Sequence, residues 1–415
     1  MRLKPFHMLA LALLAVGLFM IAFPSEGTAA ATRGIAIWWD VLFPALFPFF
    51  VIAELMLGFG LVHFFGMLLD PLMRPLFRVP GIGGFVMAMG FASGYPVAAR
   101  LTSQLWDQNL VNREEGERLV AFTTTSDPIF LIGAVSVGFF HDVRLAVVLA
   151  AAHYGSAVLL GFLMRFHGRG GKAEPTSSSR SYKRPPKEQS LLKRAFAAMH
   201  EARLRDGRVV GTMLNQAIKI AIQLIMVVGG LVVFFSVVLE AMRVTHFLDY
   251  LSAAIGTILG LFGMPGPLAE AIISGLFEVT LGAKAAGAGG ASIPLMYQVS
   301  AAAFVLSWAG FSVHAQIVSL LYRTPFRYTP FVVARLLHGI LSAGAVLLLW
   351  DRLQPVQSAA LTALASLRSS EGGPRLEWGT ALPALLMLFA AAVALLLAFS
   401  VIFAIIKGIG KRFSS

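Results

Sequence analysis

Two runs of polar residues interrupt long apolar stretches of this chain. The first, FTTTSDPIF, covers 122–130, and the second, LSWAGFSVHAQ, covers 306–316. Polar groups within apolar segments of this length cost free energy, so each run is expected to have a structural or functional role. Pro128 lacks a backbone donor and clashes with the preceding turn, which predicts that the first helix opens there. The candidates for hydrogen bonds to a solute are Thr124, Ser126, Ser307 and Ser312, and Asp127 is a candidate for coupling to a proton or cation.

Two glycine-rich stretches, about 80–105 and about 265–288, form a second layer of candidates. The first must turn at SGYP (93–96), where free amides at a helix N-terminus can receive an anion. Tyr95 could stack on a flat ring or hydrogen-bond a carboxylate. Lys and Arg side chains near these stretches would balance an anionic charge if they lie deep, or extend to the membrane surface. The residues assigned here are Ser93, Gly94, Tyr95, Arg100 and Lys284 for substrate binding and Glu278 as the second coupling candidate.

The residue types do not indicate catalysis. The chain has no cysteine, which excludes thiol nucleophiles, disulfides and cysteine-ligated metals. No spacing of His, Asp and Glu predicts a metal cage, and His153 and His338 are interpreted as packed polar residues rather than proton carriers. We therefore expect a protein that is not an enzyme and needs no cofactor, with H⁺ or Na⁺ as the candidate coupling ion.

The composition indicates a membrane protein. Of the 415 residues, 57% are hydrophobic and 13% are charged, whereas soluble domains average about 25% charged. A bilayer is crossed by about 20 apolar residues in a helix. The first apolar stretch could instead be a cleaved signal peptide. The eight stretches that meet this length are about 6–24, 34–60, 117–139, 145–165, 212–239, 293–321, 328–350 and 381–406.

The distribution of charge predicts the orientation. The segment 165–208 holds twelve Lys or Arg against four Asp or Glu, so most of the net charge of +12 lies in one loop. If Met1 starts in the cytoplasm, every arginine-rich loop falls on the cytoplasmic side, as the positive-inside rule requires. Both termini are then cytoplasmic. The basic loop sets topology or attracts anionic lipid, and nothing in it indicates nucleic acid.

One offset of 184 residues relates the two halves of the chain. It carries the second, third and fourth spans onto the fifth, sixth and seventh, and it aligns Gly310 with Ser126. A full crossing by either glycine-rich stretch would spoil the charge pattern, so both are predicted to be re-entrant hairpins. The halves are then antiparallel, as in transporters whose substrate site lies near the midplane. Chance similarity of apolar helices is the alternative, and for either polar run alone the alternative is a packing role.

The predicted fold is an all-α polytopic membrane protein with two inverted repeats. Each repeat has an interfacial helix, a re-entrant helical hairpin and a broken transmembrane helix. The interfacial helices are expected at 64–77 and 247–264. The predicted division is an N-terminal transmembrane or signal-like segment (1–33), repeat 1 (34–166), a basic cytoplasmic linker (167–211), repeat 2 (212–351), and a loop plus C-terminal transmembrane helix (352–415).

The first half also carries motifs in a familiar order. These are SGYPVAAR (93–100), NREEGERL (112–119), SDPIFLIGAV (126–135) and HY (153–154). They resemble the sporulation integral membrane protein family called YlbJ or SpoVV, over roughly 34–350. That family is similar to the nucleoside-recognition "gate" domain and, more distantly, to concentrative nucleoside transporters. Asp127 departs from the asparagine more usual in the family, and a carboxylate there would repel a dianion unless protonated or paired.

The resemblance implies a transporter of dipicolinate, a small planar dicarboxylate. It implies export from the mother cell across the outer forespore membrane in support of spore maturation. Two alternatives stay open: a nucleoside or nucleobase transporter, and a non-transporting scaffold for cortex or coat assembly that acts through the basic loop. The predicted partners are the lipid bilayer and a small anionic substrate, and the sequence leaves formation of a homo-oligomer open.

Deletion of residues 172–188 separates the transporter from the scaffold. This Ser- and Pro-containing part of the basic loop is typical of a linker, so its loss should leave the dipicolinate content of spores unchanged. The measurement is dipicolinate per spore after sporulation with the shortened chain. A normal membrane level of the protein together with defective spore cortex or coat would support the scaffold instead.

Overall fold

The computed structural model describes residues 5–128, 130–168, 191–290 and 292–366. Within these ranges the chain is helical and contains no strand. Short π-helical segments, Trp38–Leu42 and Phe130–Phe139, accompany the α-helices. The α-helices are α1 (Pro5–Ala22), α2 (Pro24–Ile37), α3 (Phe43–Gly58), α4 (Leu61–Phe77), α5 (Gly83–Ser93), α6 (Tyr95–Asp107), α7 (Arg113–Thr123), α8 (Leu145–Met164), α9 (Leu191–Asp206), α10 (Val210–Val244), α11 (Phe247–Leu261), α12 (Ala269–Phe277), α13 (Val279–Gly287), α14 (Leu295–Trp308), α15 (Gly310–Leu321) and α16 (Tyr328–Ser366).

Several of these helices are long and apolar enough to cross a bilayer, which confirms a multi-pass membrane protein. Two further helix pairs meet the requirement only together: α1 with α2, bent by 113°, and α3 with α4, bent by 80°. The expected span at 381–406 lies outside the described residues. The four candidates that meet the requirement as single spans in the described ranges are Leu145–Met164, Val210–Val244, Leu295–Leu321 and Tyr328–Leu353, and Leu295–Leu321 comprises α14 and α15.

Two segments outside the expected spans are helical as well. Residues 26–33 belong to α2, which continues through Trp38–Leu42 into α3 without interruption. Pro24 lies in the first turn, where its missing amide costs nothing, and alanines follow it. At the other end, α16 extends to Ser366 instead of ending near 350.

The helix that runs from α2 into α3 packs against α10 in the antiparallel direction. Gly34 faces Val233, and a side chain on Gly34 would bring a Cβ within 2.8 Å of the Val233 Cα. Four residues later, the indole of Trp38 donates to the Ile225 carbonyl at 3.0 Å. Numbers therefore rise along one helix while they fall along the other. The antiparallel packing of these helices is compatible with two halves of opposite orientation. The inverted repeat itself stays a prediction.

Both glycine-rich stretches fold back on themselves as helical hairpins. Hairpin 1 is α5 and α6, which meet at Gly94, and hairpin 2 is α12 and α13, which meet at Glu278. The arms of hairpin 2 touch so closely that a Cβ on Gly282 would lie 2.2 Å from the Gly275 Cα. Glycine at these positions lets the two backbones approach. Entry and exit on one side of the bilayer stays a prediction for both hairpins.

The loops expected in the cytoplasm meet at one end of the molecule. The guanidinium of Arg118 donates to the carbonyl of Arg78 at 2.8 Å and to that of His167 at 2.7 Å. The buried carboxylate of Glu117 pairs with Arg327 at 2.8 Å and with the His167 ring at 2.6 Å. These contacts join the ends of α4, α7 and α8 to the start of α16, as the positive-inside pattern predicts.

The substitution Gly282→Ala tests the hairpin packing. The new methyl group would overlap the backbone at Gly275, so we expect a loss of about 1–3 kcal/mol in stability, the usual cost of overpacking. Thermal unfolding of the detergent-solubilised protein provides the measurement. The control is Gly260→Ala in α11, where a Cβ meets no atom within 4 Å. Equal unfolding temperatures for the two variants would contradict the close contact.

Candidate functional site

The first broken helix opens where Pro128 predicts. The helix α7 ends at Thr123, and residues 124–127 leave the helical conformation before the π-helical segment begins at Phe130. The Asp127 carboxylate accepts the Phe130 amide at 2.8 Å, so it caps the second half of the broken helix. Such a cap satisfies an amide that has no partner within its own helix.

The second broken helix is interrupted at Ala309 and Gly310. Both residues have a φ of +76°, the left-handed region, which is uncommon for alanine because its Cβ crowds the backbone. The Trp308 indole donates to the carbonyl of Leu276 in hairpin 2 at 3.1 Å. A Cβ on Gly310 would lie 3.0 Å from the Phe277 carbonyl oxygen. Glycine therefore lets this break rest against the tip of hairpin 2.

Each hairpin tip lies against the break in its own half of the chain. Gly94, with a φ of +85°, is so close to the first break that a Cβ would lie 3.2 Å from the Asp127 carboxylate. Glu278 forms the other tip, where its carboxylate accepts the Leu281 amide at 2.8 Å and caps α13. The two coupling candidates thus share a local role, because each carboxylate caps a helix that starts at this centre.

A histidine connects the two breaks. The Ser126 amide donates to His153 Nε2 at 3.0 Å, and His153 Nδ1 lies 2.8 Å from the Ser307 hydroxyl. An amide only donates, so Nε2 is the acceptor and the neutral ring carries its proton on Nδ1. The ring of His338 lies against that of His153, with centroids 4.9 Å apart. This arrangement agrees with the interpretation of both histidines as packed polar residues.

Arg335 is the functional residue that the sequence analysis missed. It is fully buried in α16, and its guanidinium donates to the carbonyls of Ala121 and Thr124 and, at 3.5 Å, to that of Ser307. These carbonyls close the first halves of both broken helices, where the helix dipole favours a positive charge. The available signal was its position, because Arg335 is the charged residue within the apolar segment 328–350.

The hairpin tips, the first break and α15 border a cleft whose empty space, with the open solvent at its mouth included, is about 510 Å³. The long helices close its sides with apolar residues such as Leu46 and Val228. Tyr95 is fixed at the wall because its hydroxyl donates to the Leu306 carbonyl at 2.6 Å. The polar and tip residues of the lining are Gly94, Tyr95, Asp127, Glu278, Thr280 and Gln316.

The structure brings only part of the predicted site to this lining. Gly94, Tyr95, Asp127 and Glu278 line the cleft. The hydroxyl residues of the prediction are buried at the breaks and tips without lining it. Within the described ranges, the Oγ atoms of three of them have no hydrogen-bond partner. The buried residues are Ser93, Thr124, Ser126, Ser307 and Ser312, and the three unpartnered hydroxyls are those of Ser93, Ser126 and Ser312.

Neither of the two expected cations is among the residues that line the cleft, and their role in substrate binding stays a prediction. Arg100 is six residues beyond the tip, about 9 Å along α6 at 1.5 Å per residue. Its guanidinium is 3.6 Å from the Glu54 carboxylate of α3. Lys284 is exposed on α13. The charged side chains that line the cleft are therefore the acidic Asp127 and Glu278.

Apolar spans, folded-back hairpins and broken helices around one cleft define an integral membrane protein with an internal cleft. Residues 40–166 match the family described as Gate: Nucleoside recognition. The chain is also 42% identical over 334 residues to the "Sporulation integral membrane protein YlbJ" of Bacillus subtilis (strain 168), which covers 80% of each chain. The chain belongs to the YlbJ family of sporulation integral membrane proteins, and the predicted resemblance is confirmed.

The substitution Arg335→Met tests whether the guanidinium holds the two breaks. It leaves buried carbonyls without their donor, and we expect a loss of about 2–4 kcal/mol in stability. Arg335→Lys keeps the charge but not the planar set of donors, so its loss should be intermediate. Thermal unfolding of both variants provides the measurement. The control is Arg144→Met, because Arg144 forms only an exposed ion pair, with Asp142. Wild-type stability of Arg335→Met would contradict the role of the guanidinium in holding the two breaks together.

Proposed function

We propose that this protein is a transporter that moves dipicolinic acid from the mother cell across the outer forespore membrane during spore maturation. The observation that carries the proposal is the cleft, because both hairpin tips, the first break and the helix α15 that follows the second break contribute to it. Solute sites of membrane transporters are built in this way from interrupted helices. Membership in a family of sporulation membrane proteins supports the physiological setting.

The cleft offers a planar solute an aromatic wall and helix starts. Tyr95 is held by Leu306, so its ring presents a fixed surface for stacking. The helix α6 begins at the tip of hairpin 1, where amides without a helical partner favour oxygen ligands, whereas at the other tip the Glu278 carboxylate already caps α13. The buried hydroxyls of Ser93, Ser126 and Ser312 lie around these tips and breaks, and we propose that they become accessible to the solute when the hairpins move.

Transport requires the hairpins to move against the long helices. We propose that the hairpins of the two inverted repeats move in an elevator-like manner. The ion pair between Arg100 and Glu54 is one contact that must rearrange during this motion. Lys284 lies exposed on the other hairpin. In this proposal, Arg100 and Lys284 influence the position of the hairpin arms and attract an approaching anion. Asp127 and Glu278 couple transport to H⁺ or Na⁺. We assign no catalytic role to any residue, and we propose that both termini lie in the cytoplasm.

A nucleoside or nucleobase is the second candidate solute. The match of residues 40–166 to a nucleoside-recognition family favours it, because this segment supplies hairpin 1 and the first broken helix. A nucleobase has the flat ring that Tyr95 suits but no carboxylate. The two solutes therefore differ in the group that the cleft must recognise in addition to the ring.

Uptake into liposomes separates the two solutes. The full chain is reconstituted and given labelled dipicolinate and labelled uridine side by side. We expect accumulation of dipicolinate above that of uridine, and an uptake about tenfold lower for Tyr95→Leu, because it removes the aromatic wall. Tyr95→Phe keeps the ring and should retain more activity.

The control for this experiment is Tyr250→Leu, since Tyr250 is exposed in α11, away from the cleft. Uptake of uridine with exclusion of dipicolinate would establish the second candidate. Failure to move either solute, with the protein correctly folded, would contradict transport of both.

A further inference from the structure

The charge of the cleft lining is opposite to what a free dicarboxylate dianion needs. Asp127 and Glu278 line the cleft from the first break and from the tip of hairpin 2, and no Lys, Arg or His is among the lining residues that the structure describes. A like charge at close range in a site of low dielectric constant opposes binding. The solute, the cleft or both must therefore change charge before a dicarboxylate enters.

The ionisable groups around the cleft are already engaged and do not reverse this charge. Arg335 is bonded to the carbonyls that end two helices, which offset its positive charge. His153 is held neutral between Ser126 and Ser307. His314 contacts the Tyr328 hydroxyl at 2.8 Å and the Trp308 carbonyl at 3.1 Å. The Tyr95 and Tyr154 hydroxyls donate to the carbonyls of Leu306 and Ser126.

Gln316 is a second and independent indication of a ligand. Its side chain lines the cleft, the residue is only 4% exposed, and it forms no hydrogen bond with another residue that the structure describes. Buried amides are normally hydrogen-bonded. Gln298 shows the usual case, because its amide donates to the carbonyls of Gly290 at 2.9 Å and Ile293 at 2.6 Å. The Gln316 amide is therefore available to a solute, both as donor and as acceptor.

A cation in the cleft needs ligands beyond those of the protein. Within the described ranges, no three His, Asp or Glu side chains come together as a metal site. Two carboxylates that face a cleft are too few to enclose a divalent ion, which takes six or more oxygen ligands in the case of calcium. A dicarboxylate with a cation bound between its own oxygens would supply the missing ligands.

We propose that the cleft accepts a dicarboxylate only in a charge-compensated form and recognises it through the Gln316 amide. The compensating charge is either a proton, on the solute or on one of the two cleft carboxylates, or a divalent cation shared between the solute and the carboxylates of Asp127 and Glu278. The Gln316 amide donates to a carboxyl oxygen of the solute in both forms. This inference rests on the proposed function, since it specifies the form of the same solute.

Equilibrium binding of dipicolinate to the full chain in nanodiscs tests the charge requirement. Three conditions are compared: about pH 8 with a chelator, about pH 8 with Ca²⁺ as the probe cation, and about pH 4 with a chelator, where carboxyl groups begin to protonate. We expect affinity to be at least about tenfold higher in one of the compensated conditions than for the dianion. The condition that shows the rise identifies the compensating charge.

Two variants and two matched controls identify the residues. Gln316→Leu should weaken binding about tenfold in every condition, because a donor to the solute is lost. Glu278→Gln should instead improve binding of the free dianion, since it removes a negative charge and keeps an oxygen that can cap α13. The matched controls are Gln223→Leu on the exposed face of α10 and Glu270→Gln, an exposed carboxylate of α12, and both should bind as the wild type does.

The outcomes that overturn the inference are distinct from those that overturn the proposed function. Tightest binding of the free dianion, weaker dianion binding by Glu278→Gln, or wild-type binding by Gln316→Leu would each contradict the charge-compensated form or the role of Gln316. Absence of dipicolinate binding in all three conditions would contradict the solute assignment itself.

Discussion

A peptide group that leaves a helix inside a bilayer must find its partner within the protein. The centre of this molecule is organised by that requirement. Both broken helices end with free carbonyls, and Arg335 takes the carbonyls of Ala121 and Thr124 while it also approaches that of Ser307. The helices that start here have free amides, and the carboxylates of Asp127 and Glu278 accept two of them.

The partners of these groups come from distant parts of the chain, so satisfying the backbone also fixes the tertiary arrangement. His153 of α8 links Ser126 to Ser307, and Tyr95 of hairpin 1 reaches Leu306 in the second half. The cleft lies beside these links and takes its acidic character from the same caps. A carboxylate that completes a helix therefore also sets the charge of the cleft.

Much of the fold follows from the sequence because its signals are local. Pro128 and the glycine-rich stretches mark places where a helix cannot continue or where two backbones approach, and the breaks and hairpins lie there. The placement of single side chains needed more. The rise of α6 carries Arg100 away from the tip toward Glu54, and the contacts of Arg335 and the isolation of Gln316 depend on packing between helices far apart in sequence. The expected spans left out 26–33, which α2 crosses, because this segment holds polar residues, and one of them, Arg33, pairs with Glu240 of α10 at 2.6 Å.

The tautomer of His153 has a consequence for the movement of protons. Its Nε2 already faces an amide hydrogen from Ser126, so a second proton on the ring would set two donors against each other. Protonation would thus separate the two interrupted helices instead of passing charge between them. With this tautomer, the imidazole connects the two broken helices but does not relay protons. Any proton transfer through the protein must therefore follow another route.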